Sequence, residues 1–270
     1  MSERDYILGT HDAEIARLGL QHRAWRPRML DAWRRAGITQ GQTVIDAGSG
    51  PGYATLDLAE IVGPDGRVIA FERSARFVAA LSEAAARRGF ANVTATEADI
   101  TETSLGESVA DALWCRWVFS WLTQPTRAVA NIARALKPGG VAVFHEYLHY
   151  ASWGLLPKDA AFDAFVLAIY DSVSRTGASI DSARFLPRML EEAGFETVSL
   201  TPIVDVVAPD NFVWHWPADF ARSYRQKLVD DGLLTAQQGM DAIAALDRAE
   251  SKGGVRMTTP IVLEVIARRR

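Results

Sequence analysis

One stretch constrains the fold of this chain more than any other: Val44-Ile45-Asp46-Ala47-Gly48-Ser49-Gly50-Pro51-Gly52, an apolar run that closes on an acid and then sets glycines at alternate positions. An apolar run this short, bounded by glycine, suits a strand buried on both faces. Glycines past its end let the backbone turn through positive φ and approach a ligand where a Cβ would clash. The next residues, Tyr53 to Val62, have helical spacing. The turn therefore presents backbone N–H groups at a helix N-terminus, a place suited to a polar or anionic ligand group. Such a strand-turn-helix predicts an α/β chain with its ligand at the carboxyl end of the strand.

The glycine spacing argues against a nicotinamide or flavin site, which would need a glycine where Tyr53 stands. A second apolar run, Val68-Ile69-Ala70-Phe71, ends in Glu72, an acid placed to accept both hydroxyls of a ribose. Asp46-x-Gly48-x-Gly50-x-Gly52 with Glu72 one strand later resembles motif I and the ribose acid of the class I S-adenosylmethionine (SAM) methyltransferases. That resemblance is strong over residues 37–148, moderate over the closing strands, and hardly reaches the remaining segments. It implies a Rossmann-like, seven-stranded, mostly parallel sheet with an antiparallel last strand and helices on both faces. It also implies S-adenosyl-L-methionine as cofactor and S-adenosyl-L-homocysteine (SAH) as product.

By the same resemblance Gly48, Ser49, Gly50 and Glu72, with Arg73 beside it, hold the cofactor. Asp99 and Ile100 occupy the adenine position, Asp99 accepting from the exocyclic amine; capping a helix is the competing role for Asp99. Arg116 and Trp117, at the end of the fourth strand, border the methionine part, unless Arg116 ties cap to core. Tyr6 and Gln21 fall in a lead-in like the segment that closes over the cofactor in small-molecule methyltransferases, or in a helix that merely packs on the core. Lys137-Pro138-Gly139-Gly140 matches a further recurrent feature of the family.

In chain order, residues 11–36 read as helix with Pro27 breaking or restarting it. Strands follow at 67–71, 91–96, 110–116 and 141–144, with helices between them, an alternation that requires parallel strands and right-handed crossovers. Residues 159–175 and 185–193 are helical, 195–200 and 261–266 are strands, and 211–252 are mostly helical. We expect a single domain over 1–270: a cofactor-binding core at 37–148 closed by 186–207 and 255–270, with a helical cap from 1–36, 149–185 and 208–254. An insertion as long as 208–254 is usually functional.

His145-Glu146-Tyr147-Leu148-His149 matches the His-Glu-x-x-His pattern of zinc hydrolases, which works on a helix, where residues four apart share one face. Here it extends a strand, and at about 3.3 Å per residue the two histidines would stand roughly 13 Å apart, too far to chelate one ion. No metal is expected, nor Mg²⁺, since the strand ends lack an acid and amide cluster of the catechol type. The same segment faces the acceptor pocket, so His145, Glu146, His149 and Tyr150 are candidates to take a proton, with His149 preferred; satisfied structural histidines are the alternative. Trp121, Tyr150, Trp153 and Trp214 are assigned to the pocket walls, which would suit an apolar, planar acceptor, or else they pack the cap.

A net charge of −4 gives no electrostatic reason to bind nucleic acid. Cys115 is the single cysteine, which excludes an internal disulfide and fits a reducing cytoplasm. No apolar run approaches the roughly 18 residues of a membrane span, and the acidic N-terminus does not read as a secretory signal. The expectation is a cytoplasmic enzyme, monomer or homodimer, that methylates a small organic acceptor, oxygen being the preferred atom. The alternatives are a SAM-binding protein that transfers no methyl group, as a cyclase would, and more distantly a zinc metallohydrolase.

Overall fold

The computed structural model describes residues 11–270. Its elements in order are α1 (Asp12–Ala36), β1 (Thr43–Ala47), α2 (Tyr53–Val62), β2 (Arg67–Glu72), α3 (Ala75–Arg87), β3 (Val93–Glu97), β4 (Ala110–Arg116), α4 (Pro125–Ala135), β5 (Leu136–His149), β6 (Gly154–Leu156), α5 (Ala160–Ser174), α6 (Leu186–Glu192), β7 (Phe195–Ile203), β8 (Val206–Val207), α7 (His215–Asp230), α8 (Ala236–Lys252), β9 (Arg256–Thr258) and β10 (Ile261–Arg269). Seven strands form one sheet in the order β3-β2-β1-β4-β5-β10-β7. β10 runs antiparallel to both of its neighbours, and the other pairings are parallel. The reversal of strand order beside β1 opens a crevice at the carboxyl ends of β1 and β4, where ligands of open α/β sheets bind.

Period-two alternation along β5 decides what packs on each face. Ala142 and Phe144 join Leu113, Cys115 and residues of α4 and α6 on one side. Val141 and Val143 face Trp33 and Met29 of α1 and Leu58 of α2 on the other. α1 is one continuous helix through Pro27, not the broken pair expected. Its buried stripe of Trp25, Met29, Ala32 and Trp33 supplies tertiary packing that offsets the roughly 3 kcal/mol an internal proline costs. Gly37, at φ 80°, closes it with N–H contacts to Trp33 and Arg34 carbonyls.

A second cluster, built from α5, α7, α8 and the β5–β6 connection, centres on Phe162, Phe165, Trp214, Tyr224, Leu246 and Met257. It carries a small sheet, β6-β9-β8, whose two- and three-residue strands are too short to show a period in sequence.

Between α1 and the sheet lies a buried ionic group. Glu264 accepts from Arg35 at 2.6 Å and lies 3.2 Å from His145 Nε2. Burial pushes the Glu264 carboxyl up, but the contacts from His145 and Arg35 bring it below its ordinary range. Removing one member of such a group strands the others. Glu264→Ala is expected to cost about 3 kcal/mol, read as a lowered midpoint in urea unfolding with an unchanged slope.

Candidate active site

The bend after β1 is built as its glycines dictate. Gly48, Gly50 and Gly52 take φ of 75°, 54° and 92°, a region that costs other residues about 1–2 kcal/mol. A Cβ on Gly48 would stand 2.3 Å from Val118 Cγ2 and one on Gly52 2.2 Å from Leu81 Cδ1, whereas one on Gly50 would meet nothing within 4 Å. The bend is pinned to β2, with Gly48 and Ser49 N–H donating to the Phe71 carbonyl. Glu72 turns toward it, accepting from Gly50 N–H at 2.9 Å and Ser74 N–H at 2.8 Å. Burial raises the Glu72 pKa, and these backbone donors oppose the shift.

Asp46 sits beneath the bend, 1% exposed, accepting from Thr55 Oγ1 at 2.6 Å. Burial raises its pKa from 3.8 to about 7. The folded protein thus prefers the neutral acid, and the stability this contributes, full below pH 3.8, is lost as pH rises through about 7. Asp46→Asn, a neutral isostere that still accepts from Thr55, is expected to raise the melting temperature at pH 8. The gain should shrink toward pH 4.

A cavity of about 760 Å³ opens above the bend, within the range of small-molecule sites. From β1 to β3 it is lined by Gly48, Ser49, Gly50, Glu72, Arg73, Asp99 and Ile100. Asp99 Oδ1 also accepts from Thr101 N–H and Oγ1, at 2.8 and 2.6 Å, so the capping role and the cavity position coexist. Gln21 lines the cavity from α1 and accepts from Arg17 at 3.0 Å. Tyr6 lies outside the described residues.

Arg116 and Trp117 also reach the cavity. The Arg116 guanidinium stands 5.0 Å over the Trp117 ring and 3.9 Å from Met29 Sδ, with no ion pair among the described residues. The cap-to-core ion pair is therefore absent. Burial lowers its pKa to about 10, with the charge of Asp46 opposing the shift. Trp117 takes a φ of 54°, a strained conformation held where the chain leaves β4.

The proposed bases are placed otherwise than expected. His145 is fully buried against Glu264, on the α1 side of the sheet and away from the cavity. Glu146 is likewise fully buried, its carboxylate taken up by backbone N–H groups of Val118 and Phe119. His149 stands at the surface, its Nδ1 3.9 Å from Asp181 and its side chain 46% exposed. The cause is a register shift: Ile261 pairs with His149 and Val262 with Tyr147, so Leu148 is bulged and the alternation changes phase.

Of the pocket residues expected, Trp121 and Tyr150 line the cavity. Trp153 and Trp214 do not. Both are buried in the cap, their Nε1 groups donating to Met257 Sδ and Glu250 Oε1.

Tyr147, Phe220 and His22 line the cavity and were not anticipated. The signal for Tyr147 was its place two residues beyond His145 on an extended strand, and for His22 its adjacency to Gln21. His22 Nε2 lies 3.0 Å from Asp57, which also accepts from Arg26 at 2.8 Å. Burial lowers the His22 pKa, against the effect of Asp57. Among the described residues no group of three or more His, Cys, Asp or Glu side chains could hold a metal, and no helix is long and apolar enough to cross a membrane.

The sheet order, the glycine bend and the acid beside it define the class I SAM-dependent methyltransferases, with SAM as cofactor. Residues 45–144 match the family described as methyltransferase domain. The chain is 27% identical to an arsenite methyltransferase of Halobacterium salinarum over 184 residues, 68% of this chain and 44% of that one. It is 26% identical to a ubiquinone/menaquinone biosynthesis C-methyltransferase, UbiE, of Escherichia fergusonii, over 66% of this chain and 74% of that one. The chain thus spans about half the length of the first of these relatives and about three quarters of the second. In structure it is similar to the [4+2]-cyclase SpnF, with a TM-score of 0.56 and 23% identity over 90% of this chain and 80% of that one. That likeness concerns the fold.

The residues present fit the cofactor. Gly50 leaves open space beside the bend, Glu72 turns its carboxylate toward it, and Arg116 presents a half-buried cation with no ion pair among the described residues.

Proposed function

We propose that the protein transfers a methyl group from SAM to the oxygen of a small, largely apolar organic acceptor. The observation that carries this reading is the continuity of one cavity from Glu72 and the glycine bend to an aromatic region formed by Trp121, Tyr147, Tyr150 and Phe220. Glu72 and the Gly50 bend would hold the ribose, Asp99 and Ile100 the adenine, and Arg116 the carboxylate of the methionine part. The bound cofactor supplies an activated methyl on a good leaving group. The chain's task is then alignment and exclusion of water, effects worth up to about 7–11 kcal/mol. Aromatic walls suit a planar acceptor, which they orient without drawing a proton.

With His145, Glu146 and His149 away from the cavity, the histidine that lines it is His22. Burial favours its neutral form and Asp57 fixes its Nε2, leaving Nδ1 without a partner among the described residues. We assign to His22 the proton of a hydroxyl acceptor. α1, α5, α7 and α8 form the cap that closes this space.

The test is incubation with SAM and a panel of phenols, enols and aromatic acids, reading SAH and methylated product by mass spectrometry. Acceptor-dependent SAH with an O-methyl product supports the proposal. Product formed with SAM unconsumed would favour a cyclase-like use of the cofactor, and methylation at carbon or nitrogen would correct the acceptor atom.

A further inference from the structure

Glu146 is a buried carboxylate with no place in the proposed chemistry. It is fully buried at the carboxyl end of β5, outside the cavity. Its Oε1 accepts from Val118 N–H at 2.8 Å and Phe119 N–H at 3.1 Å. Its Oε2 lies 3.3 Å from Ser120 Oγ and 3.4 Å from Ser182 Oγ. Ser120 Oγ also reaches the Ile180 carbonyl at 3.0 Å, and the neighbouring Asp181 accepts from Tyr150 N–H at 2.7 Å. One side chain thus joins two segments distant in sequence, the exit of β4 and residues 180–182.

Both segments wall the cavity. Trp117, Val118, Trp121 and Leu122 line it from the first and Ile180 from the second, with Tyr150, tied to the second through Asp181, beside it. Val118 moreover fills the space over Gly48 left by the missing Cβ, so the same loop bears on the cofactor bend. A chain with Trp117 at φ 54° does not keep that shape unaided, because a strained residue persists only when its surroundings over-determine it. The donors of Val118 and Phe119, taken out of water, need an acceptor, and Glu146 is the one that they have.

We infer that Glu146 is a positioning residue: it holds the β4 exit loop against residues 180–182, and so sets the shape of the acceptor cavity and the seat of the cofactor's methionine part. This rests on the reading of the cavity as the methyl-transfer site. The role belongs to oxygen acceptors rather than to charge. The raised pKa of Glu146, pushed by burial to about 7 against its hydrogen bonds, is in keeping with that, since a neutral side chain with the same oxygen would serve.

The test compares Glu146→Ala with Glu146→Gln in protein labelled with 5-fluorotryptophan, whose eight tryptophans give ¹⁹F resonances assigned by single Trp→Phe changes. In Glu146→Ala the Trp117 and Trp121 signals should shift or broaden while Trp33, Trp153 and Trp214 stay in place, and SAH affinity should fall at least fivefold. Glu146→Gln, which keeps the oxygen facing Val118 and Phe119, should restore both. Unmoved Trp117 and Trp121 signals in Glu146→Ala, or equal movement of all eight, would overturn the inference. So would a glutamine variant as impaired as the alanine one. If Glu146→Ala does not fold, the double change Ser120→Ala with Ser182→Ala releases one arm and should move Trp121 alone; no movement there counts against the inference. Failure of the unaltered protein to bind SAH would instead sink the methyl-transfer reading, with the fluorine comparison still deciding the role of Glu146.

Discussion

Glu72→Ala is expected to weaken SAH binding by roughly ten- to a hundredfold, the equivalent of about 1.5–3 kcal/mol for hydrogen bonds to a charged group. The carboxylate serves two sides at once. It accepts from the Gly50 and Ser74 N–H groups, which steadies the bend, and in the proposed cofactor seat it would also accept from the ribose hydroxyls. Glu72→Gln separates these roles. The amide retains one acceptor oxygen for the bend, so the fold should be undisturbed, while affinity should drop to a level between the alanine variant and the parent. Calorimetric titration reads both, with thermal unfolding as the control. An alanine variant that binds as tightly as the parent would remove Glu72 from the cofactor site.

Gly48→Ala should damage both binding and stability. The residue sits at φ 75°, which costs about 1–2 kcal/mol for alanine. The added methyl would also fall 2.3 Å from Val118 Cγ2, and overpacking of that kind costs about 1–3 kcal/mol. Together these lower the melting temperature by roughly 10 °C in a chain of this size and push the β4 exit loop off the bend. Gly50→Ala is the contrasting case. Its new Cβ meets nothing within 4 Å, so the stability loss should be limited to the backbone conformation. The methyl would nevertheless stand in the cavity, and SAH affinity should fall severalfold or more. Equal behaviour of the two variants in both measurements would mean that the bend is not shaped around a ligand.

The parts of the molecule that were legible beforehand are those fixed by local chemistry. The apolar run of β1, the glycines after it and the acid ending β2 each state their structure within a few residues, and the parallel pairing of β1 to β5 followed from the alternation of strand and helix. β4 falls at Ala110–Arg116 as its apolar pattern indicated. The strand reading of His145-Glu146-Tyr147-Leu148-His149 also holds, because β5 continues through His149 and pairs with β10.

What was not legible depends on contacts between distant segments. Which of His145, Glu146 and His149 points inward is not written locally, and the bulge at Leu148 comes from pairing with β10, over a hundred residues away in sequence. Trp153 and Trp214 look like pocket walls by type and segment, yet the cap has its own interior and takes both into it. Conversely, His22 reads as one more helical residue until α2 brings Asp57 within 3.0 Å of it. Glu146 likewise became intelligible only once residues 118–120 and 182 were seen to converge on it.

The central claim is that the glycine bend, Glu72 and Arg116 form one cofactor cavity, and titration of the purified protein with SAH in a calorimeter tests it most directly. Saturable binding of one molecule per chain, with a dissociation constant of roughly micromolar order, is the predicted result. The account is contradicted if no saturable heat, and no shift in melting temperature, is seen up to about 1 mM ligand.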